Sequence, residues 1–99
     1  MIRHIVVFKF HETDPVKKDA IFTELKTRLE ALQGVIPGMS SIRVDKPAGS
    51  NPFIWDACLM SEHDSWEALE YYQTHPDHTV VGGWTKEISA QRAVADFEV

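Results

Sequence analysis

The segment YYQTHPDH, residues 71–78, combines the side chains that most often move protons in enzymes. Histidine titrates near neutral pH, so His78 could act as a general base, while the hydroxyl of Tyr72 could donate a hydrogen bond to a developing enolate oxygen. The same segment could instead be only a helix junction, with His75 capping a helix and His78 bonded to a backbone carbonyl. The residue types alone leave both interpretations open.

A metal site is a second kind of chemistry that this segment suggests. His75, Asp77 and His78 are close in sequence, and His63 precedes the same helical region. Tetrahedral zinc normally takes three or four convergent protein ligands, and Pro76 disturbs the helical register on which such convergence depends. We therefore expect no metal ion and no other cofactor.

His4 is a further candidate, because it lies in the strand-like stretch IRHIVVFKF at residues 2–10. Alternate side chains of a strand point to the same face, so His4 shares a face with Val6 and Phe8. We expect this face to carry the helices, which would direct His4 towards the 71–78 segment. A lone histidine on an apolar face is also often a hydrogen-bonded core residue.

The elements that must position these residues follow from periodicity and from helix start and stop signals. Asp14 is a candidate N-cap, Pro15 favours the first helical position, and Gly34 is a candidate stop for an amphipathic helix of about five turns. His75 precedes Pro76, which disfavours helical geometry there and predicts a break between two helices. The predicted elements are strands at 2–10, 40–47, 53–62 and 92–99, and helices at 14–34, 64–74 and from 76, the last with a stripe of Val80, Trp84 and Ile88.

This order is β-α-β-β-α-β, the ferredoxin-like arrangement of an α+β fold, in which one face of a four-stranded antiparallel sheet carries both helices. The whole chain, residues 1–99, forms one domain. The opposite sheet face also carries apolar residues, namely Ile5, Val7, Ile54 and Cys58. A chain this short cannot cover both faces, so we expect a homodimer that packs sheet against sheet. Alternation also places Asp56 and Asp96 near this interface, where Arg3, Lys9 or Arg43 could pair with them.

Composition excludes several classes of partner. The formal net charge is −5, and there is no basic run, so we expect no binding to nucleic acid. The N-terminal apolar run of four residues is too short for a signal peptide or a membrane span, which predicts a cytoplasmic protein with no membrane association. The single cysteine, Cys58, excludes an intramolecular disulfide.

Aromatic and small residues are predicted to surround the space between the sheet and the helices. Such residues are usually core, but small-molecule cavities are also mainly apolar with a few convergent polar groups. Gly82 and Gly83 are adjacent within the last predicted helix. Each costs a helix about 1 kcal/mol relative to alanine, so either the helix is distorted there or its backbone passes close to a ligand or another element. The candidate ligand-binding residues are Trp55, Ala57, Leu59, Trp66, His75, Gly82 and Trp84.

Several stretches together resemble a known family. MIRHIVVFKF, IPGM and above all YYQTHPDH ahead of a closing RAVADFEV resemble the Dabb family, also called the stress-responsive A/B barrel domain. The resemblance extends over essentially the whole chain. It implies a homodimer whose two four-stranded sheets form an α+β barrel.

The resemblance also implies possible chemistry. Most relatives have no assigned activity, but a plant cyclase of this kind closes a linear polyketide by intramolecular aldol condensation without a metal or cofactor. The tyrosine and histidine that it uses in the helix-break segment match Tyr72 and His78, and its first-strand histidine matches His4. Its third-strand histidine falls on Ala57 here, which leaves a narrower polar set.

Three functional hypotheses result. The first is a cavity for a small apolar or aromatic ligand, with cofactor-independent acid/base chemistry such as cyclisation or isomerisation, in which His78 is the base and Tyr72 and His4 are polarising groups. The second is a non-catalytic stress or interaction protein whose homodimer is the functional object. The third, from fold analogy alone, is an activity like that of the cofactor-free monooxygenases that share this barrel.

Overall fold

The computed structural model describes residues 1–49 and 54–99. No helix within those two ranges is both long enough and apolar enough to cross a membrane. The element order confirms the predicted α+β fold with a broken second helix. In chain order the elements are β1 (Ile2–Phe10), α1 (Pro15–Glu30), β2 (Met39–Asp45), β3 (Ala57–His63), α2 (Trp66–Thr74), α3 (Pro76–Ile88) and β4 (Ser89–Glu98).

The four strands form one antiparallel sheet in the order β2-β3-β1-β4, so β1 is central and β4 is an edge strand. The register places His4 between Ser61 of β3 and Asp96 of β4, on the face that the helices cover. The next residue, Ile5, lies between Met60 and Ala95 on the open face. Pairing alone therefore brings one histidine and one carboxylate together beneath the helices.

Helix α1 begins as the sequence predicts but ends earlier. The side chain of Asp14 accepts a hydrogen bond from the Lys17 amide at 3.0 Å, and Pro15 occupies the first helical position. The helix ends at Glu30 rather than near Gly34, because a turn follows at residues 31–35, and Gly34 within it adopts a positive φ of 78°. A glycine tolerates that left-handed geometry without steric cost.

His75 separates α2 from α3 as predicted. Its ψ of 135° is extended, which the ring of Pro76 imposes on the residue before it. The Asp77 amide donates a hydrogen bond to His75 Nδ1 at 3.1 Å, so the side chain of His75 caps the start of α3. Ser65 caps α2 by accepting a hydrogen bond from the Ala68 amide.

The core fills the space between the sheet and the helices. It combines the alternate residues of β1, β2 and β3 that face the helices with the inner stripes of α1 and α2. Burial of this apolar surface is the main favourable term for the fold. Its buried members include Val6, Phe8, Phe10, Leu25, Leu29, Ile42, Val44, Leu59 and Leu69.

The predicted stripe of α3 was right for Trp84 and Ile88 and wrong for Val80. Val80 is 73% exposed, whereas Val81 and Thr85 are buried, and Trp84 and Ile88 pack at the edge of the core. Val80 and Val81 both fit a helical stripe that continues to Trp84 and Thr85, and packing on the sheet buries Val81 rather than Val80. The helix continues through Gly82 and Gly83 without interruption.

Strand β3 begins at Ala57, four residues later than predicted. Phe53, the predicted first residue, lies outside the described residues, and Ile54 and Trp55 precede the strand. Ile54 therefore does not belong to the open sheet face. It borders a small cavity with Phe10 and other residues on the helix side, which corrects its assignment to the interface.

The open face of the sheet has no cover within the described residues. Ile5, Val7, Cys58 and Met60 are only partly buried there, and Phe97 is 40% exposed. In β4, Ser89 is partly buried and every later residue through Glu98 is exposed, so both faces of this strand are largely uncovered. This is the apolar face predicted from the alternation of β1.

Candidate active site

A cavity of about 360 Å³ lies between α3 and the part of the sheet formed by β1, β3 and β4. Its sheet-side floor and one wall are apolar, formed by Val6, Phe8, Leu29, Leu59 and Val94. Its remaining lining is mostly polar. The polar lining residues are His4, Gln73, His78, Thr79 and Thr85, together with the cations Lys86 and Arg92. Gly82 and Gly83 complete the lining.

His78 lies in the first turn of α3 and faces this cavity. Its Nδ1 lies 3.2 Å from the Gln73 carbonyl oxygen, which can only accept, so Nδ1 carries the proton and Nε2 keeps its lone pair. Burial lowers the pKa of His78, partly opposed by the hydrogen bond to Gln73, and the nearby His4 and Arg92 lower it further. His78 is therefore a neutral imidazole at pH 7.

His4 faces the same cavity from β1 and is 5% exposed. Its Nδ1 forms a short contact with the Asp96 carboxylate, whose own position follows from the β1–β4 register. A carboxylate behind an imidazole fixes its tautomer and orientation and stabilises the imidazolium that forms when the ring accepts a proton. The pair therefore has the arrangement of an oriented acid/base group.

Behind these two histidines lies a cluster of buried rings. The ring of Tyr72 is 4.3 Å from that of His78 and 4.9 Å from that of His63, measured between centroids, and 6.1 Å from that of His4. His63 Nε2 and Ser61 Oγ are hydrogen-bonded at 2.9 Å. The cluster thus connects α2, α3 and the two central strands.

Burial sets the protonation of this cluster. It lowers the pKa of His63 to about 4, with a further contribution from His4, so this ring is neutral at pH 7. It raises the pKa of Tyr72, which stays a phenol. Low-dielectric surroundings disfavour the charged form in both groups.

Two atoms of the cluster have no hydrogen-bond partner among the described residues, namely Tyr72 Oη and His63 Nδ1. Both side chains are completely buried. Buried polar atoms are nearly always paired, and the exceptions concentrate at sites with a functional role or an additional water. Unused hydrogen-bonding capacity therefore lies directly beside the cavity.

The structure brings part of the predicted site together. His4, Leu59, His78 and Gly82 line the cavity. Tyr72 is not in the lining, because its ring lies behind that of His78. Two further predicted residues also lie outside the lining: Ala57 is completely buried in β3, and His75 lies at the helix junction.

The three predicted tryptophans are not brought to this cavity. Trp55 borders a separate cavity of about 230 Å³ near α1. Trp66 is 48% exposed, and its indole N–H donates to Glu98 Oε1 at 3.2 Å. Trp84 packs at the edge of the core with the Arg28 guanidinium 4.4 Å from its ring centroid.

Sequence reasoning missed several residues of the site. His63 was considered only as a metal ligand, although alternation along β3 places it on the same face as Leu59 and Ser61, which was a usable signal. Asp96 was placed on the opposite sheet face, near the interface, and this was wrong because its register partner is His4. Arg92 carried no signal, since strand register cannot be read from one sequence.

Asp56 was also assigned to the open face, and the structure corrects this. Its side chain turns towards α1, where Oδ1 lies 2.8 Å from Lys18 Nζ and Oδ2 accepts a hydrogen bond from the Phe10 amide at 2.8 Å. The expected partners make other contacts: Arg3 Nη2 lies 3.6 Å from Glu62 Oε1, Arg43 forms an ion pair with Asp45, and Lys9 Nζ donates a hydrogen bond to the Ile54 carbonyl. Asp56 thus ties the end of β1 to α1.

Potential metal ligands do not converge in the described residues: no group of three or more histidine, cysteine, aspartate or glutamate side chains is placed to hold an ion. Within the 71–78 segment, His75 Nδ1 is 4.0 Å from Asp77 Oδ2. His78 turns instead towards the cavity. Within this segment, His75 therefore caps α3 and His78 lines the cavity.

Solved structures share this architecture. A dimeric protein of unknown function with a ferredoxin-like fold, from Bacteroides fragilis, is 33% identical and superposes with a TM-score of 0.84 over 99% of this chain and 95% of that chain. A Dabb family protein from Mesorhizobium loti is 20% identical, with a TM-score of 0.76 over 99% and 95% of the two chains. The hydroxynitrile lyase from Passiflora edulis is 14% identical, with a TM-score of 0.77 over 99% and 92%.

A comparison with curated protein sequences finds no match. The family comparison is more informative, because one family model matches residues 2–99. Both this match and the 33% identity to the Bacteroides fragilis protein extend over nearly the full chain. The chain belongs to the Dabb family, the Stress Responsive A/B Barrel Domain.

Proposed function

We propose that each protomer binds a small, mostly apolar molecule in the 360 Å³ cavity and catalyses proton transfer on it without a metal or cofactor. The observation that supports this best is the pair of imidazoles, His4 and His78, that face one cavity. Each is held through Nδ1 and so presents Nε2 to the enclosed space. Two such groups on one substrate can take up a proton at one atom and deliver it at another.

His78 is the base in this proposal. Its lowered pKa keeps Nε2 unprotonated at pH 7, and the apolar floor of the cavity would strengthen its interaction with an acidic C–H or O–H group. His4, oriented by Asp96, is the complementary group: in its protonated form it donates to the oxygen on which negative charge develops. The proton that leaves the substrate thus moves to His78, while a second proton stabilises the oxyanion.

Tyr72 has a positioning role in this proposal. Its ring packs behind His78 at 4.3 Å and does not line the cavity. An imidazole fixed by packing on one side and by a hydrogen bond at Nδ1 loses little freedom when the substrate binds. Tyr72 therefore holds the imidazole of His78 in the orientation that the chemistry needs.

The test is proton exchange on a simple carbonyl compound. We expect wild-type protein to accelerate α-hydrogen exchange of phenylacetone in D2O, followed by proton NMR, because His78 removes the α-proton and the enolate takes a deuteron. His78→Gln and Asp96→Asn should each lower the rate by roughly 100-fold. The matched control His11→Gln removes an exposed histidine from the end of β1 and should change nothing. Cleavage of mandelonitrile to benzaldehyde and cyanide, which also starts by proton removal, is a second probe.

A non-catalytic homodimer is the second candidate, and the open sheet face favours it. Ile5, Val7 and Phe97 leave an apolar surface on a chain whose relative in Bacteroides fragilis is dimeric. We propose that two protomers pack through this face. Ligand binding without any proton exchange in the probes above would favour this candidate over the enzyme.

The dimer proposal has its own test. Val7→Asp places a charge at the centre of the open face and should give a monomer or aggregate by light scattering, because an unpaired charge in an apolar interface is costly. Val16→Asp is the control, since Val16 is 79% exposed on α1. A Val7→Asp protein that remains a dimer would refute the interface.

A further inference from the structure

The charged residues at the cavity have one sign. Lys86, in the last turn of α3, and Arg92, in β4, are both in the lining, and no aspartate or glutamate is. Neither cation makes an ion pair with any of the described residues. Six of the ten lysines and arginines form ion pairs within the described residues, and Lys86 and Arg92 are two of the remaining four.

The same two cations border a second, shallower space. A groove of about 290 Å³ follows the point where α3 passes directly into β4, and Lys86, Ser89 and Arg92 are part of its lining. Ser89 Oγ is buried there without a hydrogen-bond partner among the described residues. An ammonium, a guanidinium and a free hydroxyl thus offer donors to one region at the cavity mouth.

The position of Lys86 alone has a simple explanation, because a cation in the last turn is stabilised by the helix dipole. Arg92 has no such explanation. It lies in a strand, opposite Phe8 in the register, with its side chain on the helix-facing side. A guanidinium offers two parallel donors that match the oxygens of a carboxylate or phosphate.

We propose that Arg92 and Lys86 form an anion subsite at the cavity mouth, and that the substrate is a small apolar molecule carrying a carboxylate or phosphate group. The inference rests on the proposed function, since it names the class of molecule that the same cavity binds. The apolar part of the substrate lies against the floor near Val6 and Leu59, and the anionic end lies between α3 and β4.

The anion subsite is also coupled to the base. Arg92 is close enough to His78 to contribute to its lowered pKa, after burial and after His4. An anion bound to Arg92 would cancel part of that positive charge and raise the pKa of His78 back towards neutrality. A base that is matched to the working pH transfers protons most effectively.

The experiment compares two ligands of the same shape. Wild-type protein is titrated by calorimetry with 2-naphthylacetate and with 2-naphthylacetamide. The carboxylate should bind about tenfold more tightly than the amide, because a hydrogen bond between two charged groups increases the affinity by about this factor. Arg92→Gln should remove this preference and leave the amide unaffected. Lys17→Gln is the control: it makes the same charge change on an exposed residue of α1, at the end remote from the cavity. 2-Naphthyl phosphate, tested in parallel, shows which anion the subsite prefers.

The outcomes separate the two proposals. If wild-type protein binds 2-naphthylacetate and 2-naphthylacetamide equally well, the anion subsite is overturned but the proposed apolar cavity is not. If none of the three naphthyl ligands binds, the proposed function is overturned as well. Equal losses in Arg92→Gln and Lys17→Gln would reveal a net-charge effect and also overturn the subsite. Arg92→Lys keeps the positive charge but lacks the two parallel donors of a guanidinium, so it should retain part of the preference for 2-naphthylacetate over the amide. If Arg92→Gln is misfolded by circular dichroism, Lys86→Gln provides the same comparison.

Discussion

Polar side chains are buried at both ends of β1, and the two groups differ in how completely they are paired. At the Phe10 end, one Asp56 oxygen binds Lys18 and the other accepts from the Phe10 amide, both at 2.8 Å. At the opposite end, His63 Nδ1 and Tyr72 Oη have no partner among the described residues, although both side chains are completely buried. The first group is satisfied, and the second retains unused donors and acceptors.

This difference distinguishes a structural polar group from a candidate site. Burial tends to raise the pKa of Asp56, but the hydrogen bonds from Lys18 and from the Phe10 amide outweigh it, so the pKa is lowered and the carboxylate stays charged. A satisfied network of this kind rigidifies the fold. His63 and His78 lie beside or in the wall of a cavity, and burial lowers the pKa of both rings, a perturbation that is common at functional sites.

Asp56→Ala should have the largest effect on stability. The substitution leaves Lys18 and the Phe10 amide without their shared partner, and breaking a buried pair in this way costs about 3 kcal/mol in the free energy of unfolding, measured in urea. Asp45→Ala removes an exposed pair and should cost less than about 0.5 kcal/mol. If both cost the same, the Asp56 group is not the structural anchor that the geometry indicates.

Burial of His63 should make the free energy of unfolding depend on pH. The pKa of His63 is about 4 when folded against 6.5 as the reference value, so its stabilising contribution is complete above pH 6.5 and is lost as the pH falls. Between pH 6.5 and 5 the loss from this residue amounts to about 2 kcal/mol. His4, His78, Asp64 and Asp96 are its titratable neighbours.

His63→Gln isolates this contribution. The variant should show a flatter dependence of unfolding free energy on pH in this window, whereas the control His11→Gln should follow the wild type. Equal slopes for wild type and His63→Gln would contradict the buried neutral histidine.

Tyr72→Phe should have a smaller effect and tests the unpaired atoms directly. Removing a buried hydroxyl without a partner costs no hydrogen bond and relieves a desolvation penalty, so the free energy of unfolding should stay within about 1 kcal/mol of the wild type or rise. A loss well above that value would show that the hydroxyl is paired in the native protein, for example with a buried water.

The two glycines of α3 provide the smallest and most specific prediction. A methyl group at Gly83 would meet nothing within 4 Å, so Gly83→Ala should stabilise the protein by up to about 1 kcal/mol. Gly82→Ala would bring its methyl group 3.8 Å from His78 Cε1, an ordinary contact. Both positions line the cavity, so both variants should bind 2-naphthylacetate more weakly while melting at higher temperature.

The fold was largely predictable from the sequence. Alternation in β1, the cap at Asp14 and the break before Pro76 are local signals, and each predicts its element directly. Val80 was misassigned because two adjacent stripes satisfy the same helical spacing, and only packing distinguishes them. The resemblance to the Dabb family predicted the overall architecture.

The site was only partly predictable. Leu59 and His4 follow from strand alternation, but the Asp96 partner depends on register, which is a property of the pairing of distant segments. The tryptophans at 55, 66 and 84 were expected near the ligand because strand alternation and helical stripes direct them to the space between sheet and helices, and each packs elsewhere. The roles of Tyr72 and His78, and the monooxygenase hypothesis, stay predictions.

The most direct test of a ligand site beneath α3 is an NMR titration of the histidine side chains. Long-range proton–nitrogen spectra should show both His4 and His78 protonated at Nδ1, and saturable shifts of both rings when 2-naphthylacetate is added. The exposed ring of His11 should not move. Saturable binding that leaves the NMR signals of His4 and His78 unchanged, or no binding at all, would contradict a ligand site beneath α3. The buried histidines would then be only part of the core.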